Sequence, residues 1–222
     1  MNSFEKEHVL QPYNSISSHF KQTRVYLWPS AKTFLDTIKS YELVADIGCG
    51  NGRGIKEYPF ISIGCDICLP NLIEASSQLD GVLRANAINL PYKNNQFDKL
   101  ISIAVIHHLS SFERRRQAII ELVRIVRPGG ELFIQVWALD QPNDSRRKFT
   151  KQDNMVSWIL QKKYTKDKIK DETYHRFYHV FKKGELDKLC DLPNVSVEKS
   201  FYEKGNWCII LKTKYVITKR NM

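Results

Sequence analysis

The chain has 222 residues, 42% of them apolar and 26% charged, with a formal net charge of +10. That much Ile, Leu, Val and Phe can bury a core, which excludes disorder along the whole length. The most apolar stretch, Leu100 to Ile106, falls far short of the roughly 20 residues a bilayer requires, and the charged start Met1 to His8 carries no apolar leader, so neither a membrane partner nor a secretory route is expected.

Residues 1–40 read as helical, because Val9, Tyr13, Ile16 and Phe20 recur at three- and four-residue spacing. Trp28-Pro29 breaks that stretch, and a second helix is predicted over Ser30 to Ile38. Strands are predicted at Leu43–Ile47, Phe60–Ile63, Val82–Leu83 and Lys99–Val105, the last continuously apolar and therefore buried on both faces. A helix over Ser111 to Val126 stops at Arg127-Pro-Gly-Gly130, and the strand Glu131–Trp137 follows. After a basic stretch come a helix at Gly184–Asp191 and a closing pair of strands, Val195–Phe201 and Trp207–Lys212. Strands alternating with helices imply an α/β fold around a mostly parallel sheet. One domain is expected: a helical cover over 1–40, a ligand-binding half over 43–137, a basic insertion over 138–188, closing strands over 189–212 and a basic tail over 213–222.

The positive charge is concentrated. Residues 146–188 hold thirteen Lys and Arg against six Asp and Glu, a local excess of +7, with Tyr164, Tyr174, Phe177 and Tyr178 interleaved. Basic groups neutralise phosphates and aromatic faces stack on bases, which suits RNA. The plainer alternative is a basic helix pair with core aromatics. Arg114, Arg115, Arg116, Arg146, Arg147 and Lys148 are the candidate phosphate contacts. The odd count of five cysteines suits a reducing compartment, and Cys65-x-x-Cys68 lacks the second pair a zinc site needs, so no metal is expected.

The most informative segment is Asp46-x-Gly48-x-Gly50-x-Gly52 at the end of the first strand. Missing side chains let a ligand lie against the backbone, and a helix expected to follow would offer free N–H groups. The spacing fails the dinucleotide pattern, since its last glycine would fall at Arg53, and the Lys-Ser/Thr of a phosphate loop is absent. A carboxylate at Asp46 repels pyrophosphate and favours an ammonium or sulfonium. Asp66 ends the next strand, where a carboxylate can accept from two ribose hydroxyls. Then come Ala85-Asn-Ala-Ile-Asn-Leu-Pro91, Gln96-Phe-Asp98 with His107-His108, and Arg127-Pro-Gly-Gly130.

In this order the landmarks resemble class I S-adenosylmethionine-dependent methyltransferases, which implies a Rossmann-like seven-stranded sheet. It also implies S-adenosyl-L-methionine as cofactor, held by Asp46, Gly48, Cys49, Gly50, Asn51, Gly52, Asp66, Ile67, Asn86, Ala87, Ile88 and Ile103. Asn86 stands where the pattern usually has Asp; it keeps an acceptor and loses the charge.

A narrower resemblance rests on Tyr13-Asn-Ser-Ile-Ser-Ser-His-Phe20, Gln22-Thr-Arg24, Trp28-Pro29, Asn89-Leu-Pro-Tyr-Lys-Asn94 and Glu113-Arg-Arg-Arg116. Val136-Trp-Ala-Leu139, Tyr178-His179, Lys183-Gly-Glu-Leu186 and Asn206-Trp207 extend it. These segments are similar to the eukaryotic tRNA methyltransferases that esterify 5-carboxymethyluridine at the wobble position. Cys208 departs from the pattern, where a second Trp often follows Trp207. The resemblance implies tRNA as substrate, through its anticodon loop, and a small zinc-binding activator subunit as partner. If the third strand is a sheet edge, Gly81 to Ala85 would offer unpaired backbone groups to that partner. A cytoplasmic location is expected, with the nucleus as a second compartment. The competing readings are a methyltransferase for a small molecule and a binding module that has lost catalysis.

The implied reaction is an in-line displacement by a carboxylate, which is ionised at neutral pH and needs no strong base. The site must strip water from it and orient it. Cationic or N–H donors and aromatic walls are therefore expected. Arg24 is the first candidate for gripping a carboxylate, His107 lies just past the fourth strand, and Trp137, Trp28 and Trp207 could wall the base or the cofactor.

Overall fold

The computed structural model describes residues 1–23, 27–164 and 170–215, without the side chains of Ser18 and of residues 20–23. In chain order the strands are β1 (Leu43–Ile47), β2 (Ile61–Asp66), β3 (Gly81–Arg84), β4 (Phe97–Ile103), β5 (Val126–Trp137), β6 (Asp153–Leu160), β7 (Glu172–His179), β8 (Val195–Glu203) and β9 (Asn206–Thr213). Seven of them form one sheet in the order β3-β2-β1-β4-β5-β9-β8. The first five are parallel and β9 runs antiparallel to both its neighbours, as a hairpin with β8 requires. The chain winds outward from β1 to β3, then crosses back to β4. The carboxyl ends of β1 and β4 therefore diverge into a crevice, where α/β sheets bind ligands.

Both faces of the sheet are covered, and β4 shows why its sequence is continuously apolar. Leu100 packs with Ala118, Ile119 and Leu122 of helix α5 (Phe112–Ile125) on one face. Ile101, its neighbour, packs with Ala31, Phe34 and Leu35 of helix α3 (Pro29–Leu35) on the other. Pro29 occupies the first turn of α3, where a missing N–H costs nothing. Before it, α1 (Ser3–Glu5), one π-helical turn (Lys6–Leu10) and α2 (Gln11–Thr23) make a continuous helical cover, started by the Asn2 side chain accepting from the Glu5 N–H. Helices α4 (Leu69–Ala75) and α6 (Glu185–Cys190) complete the set. Among the described residues no helix is long and apolar enough to cross a membrane.

One expectation fails, and so does one alternative. No helix follows the glycine loop; residues 48–59 run through turns. Glycines at 50, 52 and 54 raise the entropy cost of helix, and Pro59 disfavours helical backbone at Tyr58. The few residues between are too short to nucleate one alone. The basic insertion is not a helix pair either. β6 and β7 form a separate antiparallel ribbon, with Val156 opposite Arg176 and Trp158 opposite Tyr174. Val156, Trp158 and Leu160 turn toward the body while Met155 and Ile159 face out. That alternation, and the aromatic and β-branched composition, is a strand pattern that the count of charges concealed.

Candidate active site

The crevice is a cleft of about 470 Å³ above β1, β2 and β4, roofed by the N-terminal helices. Gly48 leaves β1 with φ +84°, and a Cβ there would collide with Val105 Cγ2. Only glycine fits both the backbone angle and the space. The turn is fixed from below: Gly48 N and Cys49 N both donate to the Cys65 carbonyl, at 2.6 and 3.0 Å. Asp66 braces it from the side, accepting from Gly50 N at 2.9 Å and from Cys68 N at 2.8 Å.

Two carboxylates face this cleft with raised pKa values. Burial, and then the charge of Asp66, push Asp46 up to about 7. Burial also raises Asp66, against the hydrogen bonds from Cys68 and Gly50. Adjacent carboxyls held out of water favour a cationic ligand. Asn51 and Asn86 supply the complementary groups. The Asn86 Oδ1 is taken by the Ile88 N–H at 3.2 Å, which turns its amide nitrogen to the ligand side. Both Nδ2 groups are buried without a hydrogen-bond partner among the described residues. Acceptors for an ammonium and hydroxyls, orphaned donors for ring nitrogens or a carboxylate, and a bare backbone cradle fit S-adenosylmethionine.

Of the residues expected to hold it, Asp46, Gly48, Cys49, Gly50, Asn51, Asp66, Ile67, Asn86, Ala87 and Ile103 line the cleft. Gly52 and Ile88 do not. Gly52 (φ +75°) lies against Leu79 and Ala75, where it lets the turn pack on α4, and Ile88 packs into the core while its N–H fixes Asn86.

The opposite wall is built by contacts remote in sequence. His108, in the turn after β4, donates from Nδ1 to the Phe177 carbonyl at 2.8 Å. Its Nε2 must then accept, and it does so from the Tyr13 hydroxyl at 2.9 Å. The Tyr13 oxygen in turn accepts from Tyr178 at 3.1 Å and from Arg176 Nη1 at 3.2 Å. Tyr13 and His108 line the cleft; so does Trp28.

His107 does not. It is fully buried behind the wall, with Nδ1 accepting the Trp137 N–H at 3.1 Å, so the histidine on the cleft is its neighbour. Trp137 stands beside it, stacked on Tyr178 at 4.2 Å and covered by the Arg147 guanidinium. Trp207 lies away from the cleft, its indole N–H on the Phe181 carbonyl. Arg24 falls outside the described residues.

The arginine triplet is a correction. Arg114 clamps the buried Glu5 with two hydrogen bonds of 2.6 Å, tying α1 to α5. Arg115 is buried and donates to the Leu109 carbonyl. Arg116 donates to the carbonyls of Lys188, Leu189 and Asp191, closing the end of α6. These groups already carry internal bonds, so the triplet is scaffold. Arg146, Arg147 and Lys148 are exposed on the loop before β6. Glu5, Tyr13 and His108 line the cleft and Arg176 stands behind Tyr13, and the sequence singled out none of the four as a site residue. The only signals were Tyr13 and His108 inside quoted segments.

A methyltransferase domain model matches residues 45–134, which is β1 through β5. The chain is 38% identical to the tRNA (carboxymethyluridine(34)-5-O)-methyltransferase of Schizosaccharomyces pombe, over 93% of this chain and 96% of that protein. The chain belongs to the tRNA carboxymethyluridine methyltransferase family. The Xenopus tropicalis member of that name is 35% identical over 95% of this chain, which spans 41% of its length. A chain in the Haloferax volcanii complex between the Trm112 methyltransferase activator and a methyltransferase shares the fold, with a TM-score of 0.67 at 12% identity, covering 95% of this chain and 99% of that one. As a methyltransferase of this family the chain uses S-adenosylmethionine. Asp46, Asp66 and Asn86 all fall on the cleft just described.

Proposed function

We propose that the chain methylates the carboxylate of 5-carboxymethyluridine at the wobble position of tRNA, giving the methyl ester. The observation that carries this is the near end-to-end likeness to the fission yeast enzyme of that name. The cleft chemistry supports it: two carboxyls at one end, and at the other an aromatic wall holding a guanidinium.

S-adenosylmethionine, when bound, supplies an electrophilic methyl group on a sulfonium. Asp46 and Asp66 would hold its charged and hydroxyl groups, and Asn51 and Asn86 its acceptors. The chain's remaining work is to bind, orient and dry the substrate. His108 spends both ring nitrogens on Phe177 and Tyr13, so the wall presents no general base. None is needed, because the nucleophile is already an anion near neutral pH. The N-terminal helices exclude water, and the Glu5–Arg114 pair pins them to α5.

The ribbon and the loop before it carry the tRNA in this reading. Arg146, Arg147 and Lys148 are exposed beside it, and Lys162, Lys163 and Lys170 lie near its tip. We further infer an activator subunit on β3. Support comes from the position of β3 as a sheet edge and from the activator complex named for the Haloferax neighbour.

Mass spectrometry of wobble nucleosides from cells lacking the gene tests the reaction. Free carboxymethyluridine should accumulate at the expense of its ester. Unchanged ester would remove the proposal.

A further inference from the structure

Two buried arginines, Arg115 and Arg176, have no ion pair and no partner for Nε among the described residues, and of the two it is Arg176 that bonds a residue lining the cleft. Arg114 pairs with Glu5, Arg124 with Glu121 and Arg127 with Asp98. Arg176, on β7, is 2% exposed and forms no ion pair among the described residues. Its guanidinium lies over the rings of Trp158 at 4.8 Å, Tyr178 at 5.2 Å and Tyr13 at 5.4 Å. Nη1 reaches the Tyr13 hydroxyl, while Nε is buried with no hydrogen-bond partner among the described residues. Burial pulls against its charge, but Tyr13 and Tyr178 more than restore it, so the group stays cationic. A buried cation without a counter-ion is costly, and aromatic faces offset only part of that cost. The missing group is an anion.

Tyr13 shows where the anion comes from. It hydrogen-bonds Arg176 and also lines the cleft, so the guanidinium stands one side chain behind the wall facing the cofactor residues. We propose that Arg176 binds the carboxylate of the substrate uridine and is the residue that selects it. This rests on the function proposed above and adds the group that reads the substituent. Nε and a terminal N–H form a fork that matches the two carboxylate oxygens. Each oxygen keeps a lone pair. One of them forms the new O–CH3 bond as the C–S bond breaks, and that electron pair stays on sulfur. The carboxylate charge and the sulfonium charge vanish together, and no proton moves. The neutral ester no longer satisfies the guanidinium, which favours product release. A uridine whose side chain ends in an amide, or that lacks the substituent, leaves Arg176 unpaired and is rejected.

The test measures affinity of the full-length chain for two tRNAs, in the presence of S-adenosylhomocysteine to prevent turnover. One carries 5-carboxymethyluridine and the other the neutral 5-carbamoylmethyluridine. A charge-assisted fork should favour the acid by about ten- to a hundredfold. Arg176→Gln should bring that ratio close to one, with S-adenosylmethionine affinity and binding of the amide tRNA retained. Wild-type discrimination in folded Arg176→Gln overturns the assignment, as does a wild-type chain that binds both tRNAs equally. If the glutamine variant does not fold, Arg176→Lys serves, since it keeps the charge and loses the fork. It should raise KM for the acid tRNA more than it lowers kcat, and an unchanged KM overturns the proposal. Methyl transfer by the wild-type chain to the acid tRNA is read alongside. Its absence counts against the proposed function, and its presence with unchanged discrimination counts against Arg176 alone.

Discussion

The two walls of the cleft are made by different means. The cofactor wall is local: one glycine turn between β1 and β2, braced by Asp66 sixteen residues from Gly50 and by the Cys65 carbonyl. The substrate wall is assembled from three distant segments, with Tyr13, His108 and Arg176 joined by hydrogen bonds across 95 and 163 positions of sequence. The first wall is held by backbone on backbone at Cys65 and by a single carboxylate, that of Asp66. The second is held by side-chain hydrogen bonds that run through Tyr13, so it stands only if the N-terminal helices are docked. A local wall suits a cofactor common to many enzymes, and a wall of remote parts can change with the substrate.

The largest test of that contrast is the clasp between α1 and α5. The Glu5 side chain is 1% exposed, and its partner Arg114 is 22% exposed. Arg114→Ala leaves a buried carboxylate unpaired and should cost about 3–5 kcal/mol, read as a fall in the denaturant midpoint. Burial alone would raise the Glu5 pKa, but Arg114 and Ser110 together bring it below the ordinary value. Its stabilisation is therefore present above the unfolded pKa and lost as pH falls through the lower folded value. If the remote wall depends on this clasp, tRNA turnover should fail before cofactor binding does. Simultaneous loss of both would erase the distinction drawn here.

Gly48→Ala probes the other wall. The positive φ costs an L residue about 1–2 kcal/mol, and displacing Val105 adds about 1–3 kcal/mol. Cofactor titration should show binding lost while tRNA still binds. A variant with near-normal cofactor affinity would mean that the turn is not the cradle.

How much of this was readable beforehand follows the same division. The strand run into Asp46 and its glycines and the acid at Asp66 could be anticipated because each depends on neighbours in sequence, whereas the edge position of β3 followed from the strand order that the resemblance implied. The ribbon could not, because charge counts drew attention away from the alternation of Val156, Trp158 and Leu160. Arg114 to Arg116 looked like a phosphate cluster, since nothing in a linear string shows that Glu5 or the end of α6 lies against them. His107 and His108 are adjacent and chemically identical. Only the turn after β4 decides which one reaches the cleft.

The electrostatics of the local wall give a prediction of intermediate size. Asp46 titrates near 7 in the folded chain, far above the ordinary carboxylate value of 3.8. The folded state thus holds this proton more tightly than the unfolded chain. Ionising Asp46 costs stability progressively as pH rises from the unfolded value toward 7, and no further above it. A cationic cofactor favours the ionised form, so binding below that point must release the proton. Affinity should weaken by up to about tenfold per pH unit below 7 and level off above it. Calorimetry in two buffers of different ionisation heat would count the proton. Asp46→Asn should abolish the slope, and a flat wild-type profile would take Asp46 out of cofactor binding.

The smallest expected effect separates scaffold arginines from those offered to RNA. Arg116 donates to three carbonyls at the end of α6, so Arg116→Ala should cost on the order of 1 kcal/mol of stability through lost hydrogen bonds. It should leave the salt dependence of tRNA affinity unchanged, because its guanidinium is turned onto the carbonyls at the end of α6 rather than offered to a phosphate. Arg147 lies exposed on the loop before β6, with its guanidinium over the Trp137 ring. Arg147→Ala should reduce the slope of log affinity against log salt by about one, with little change in stability. The two variants remove the same charge from the chain. A difference in slope between them therefore reports position rather than net charge, and equal slopes would place neither arginine on a phosphate.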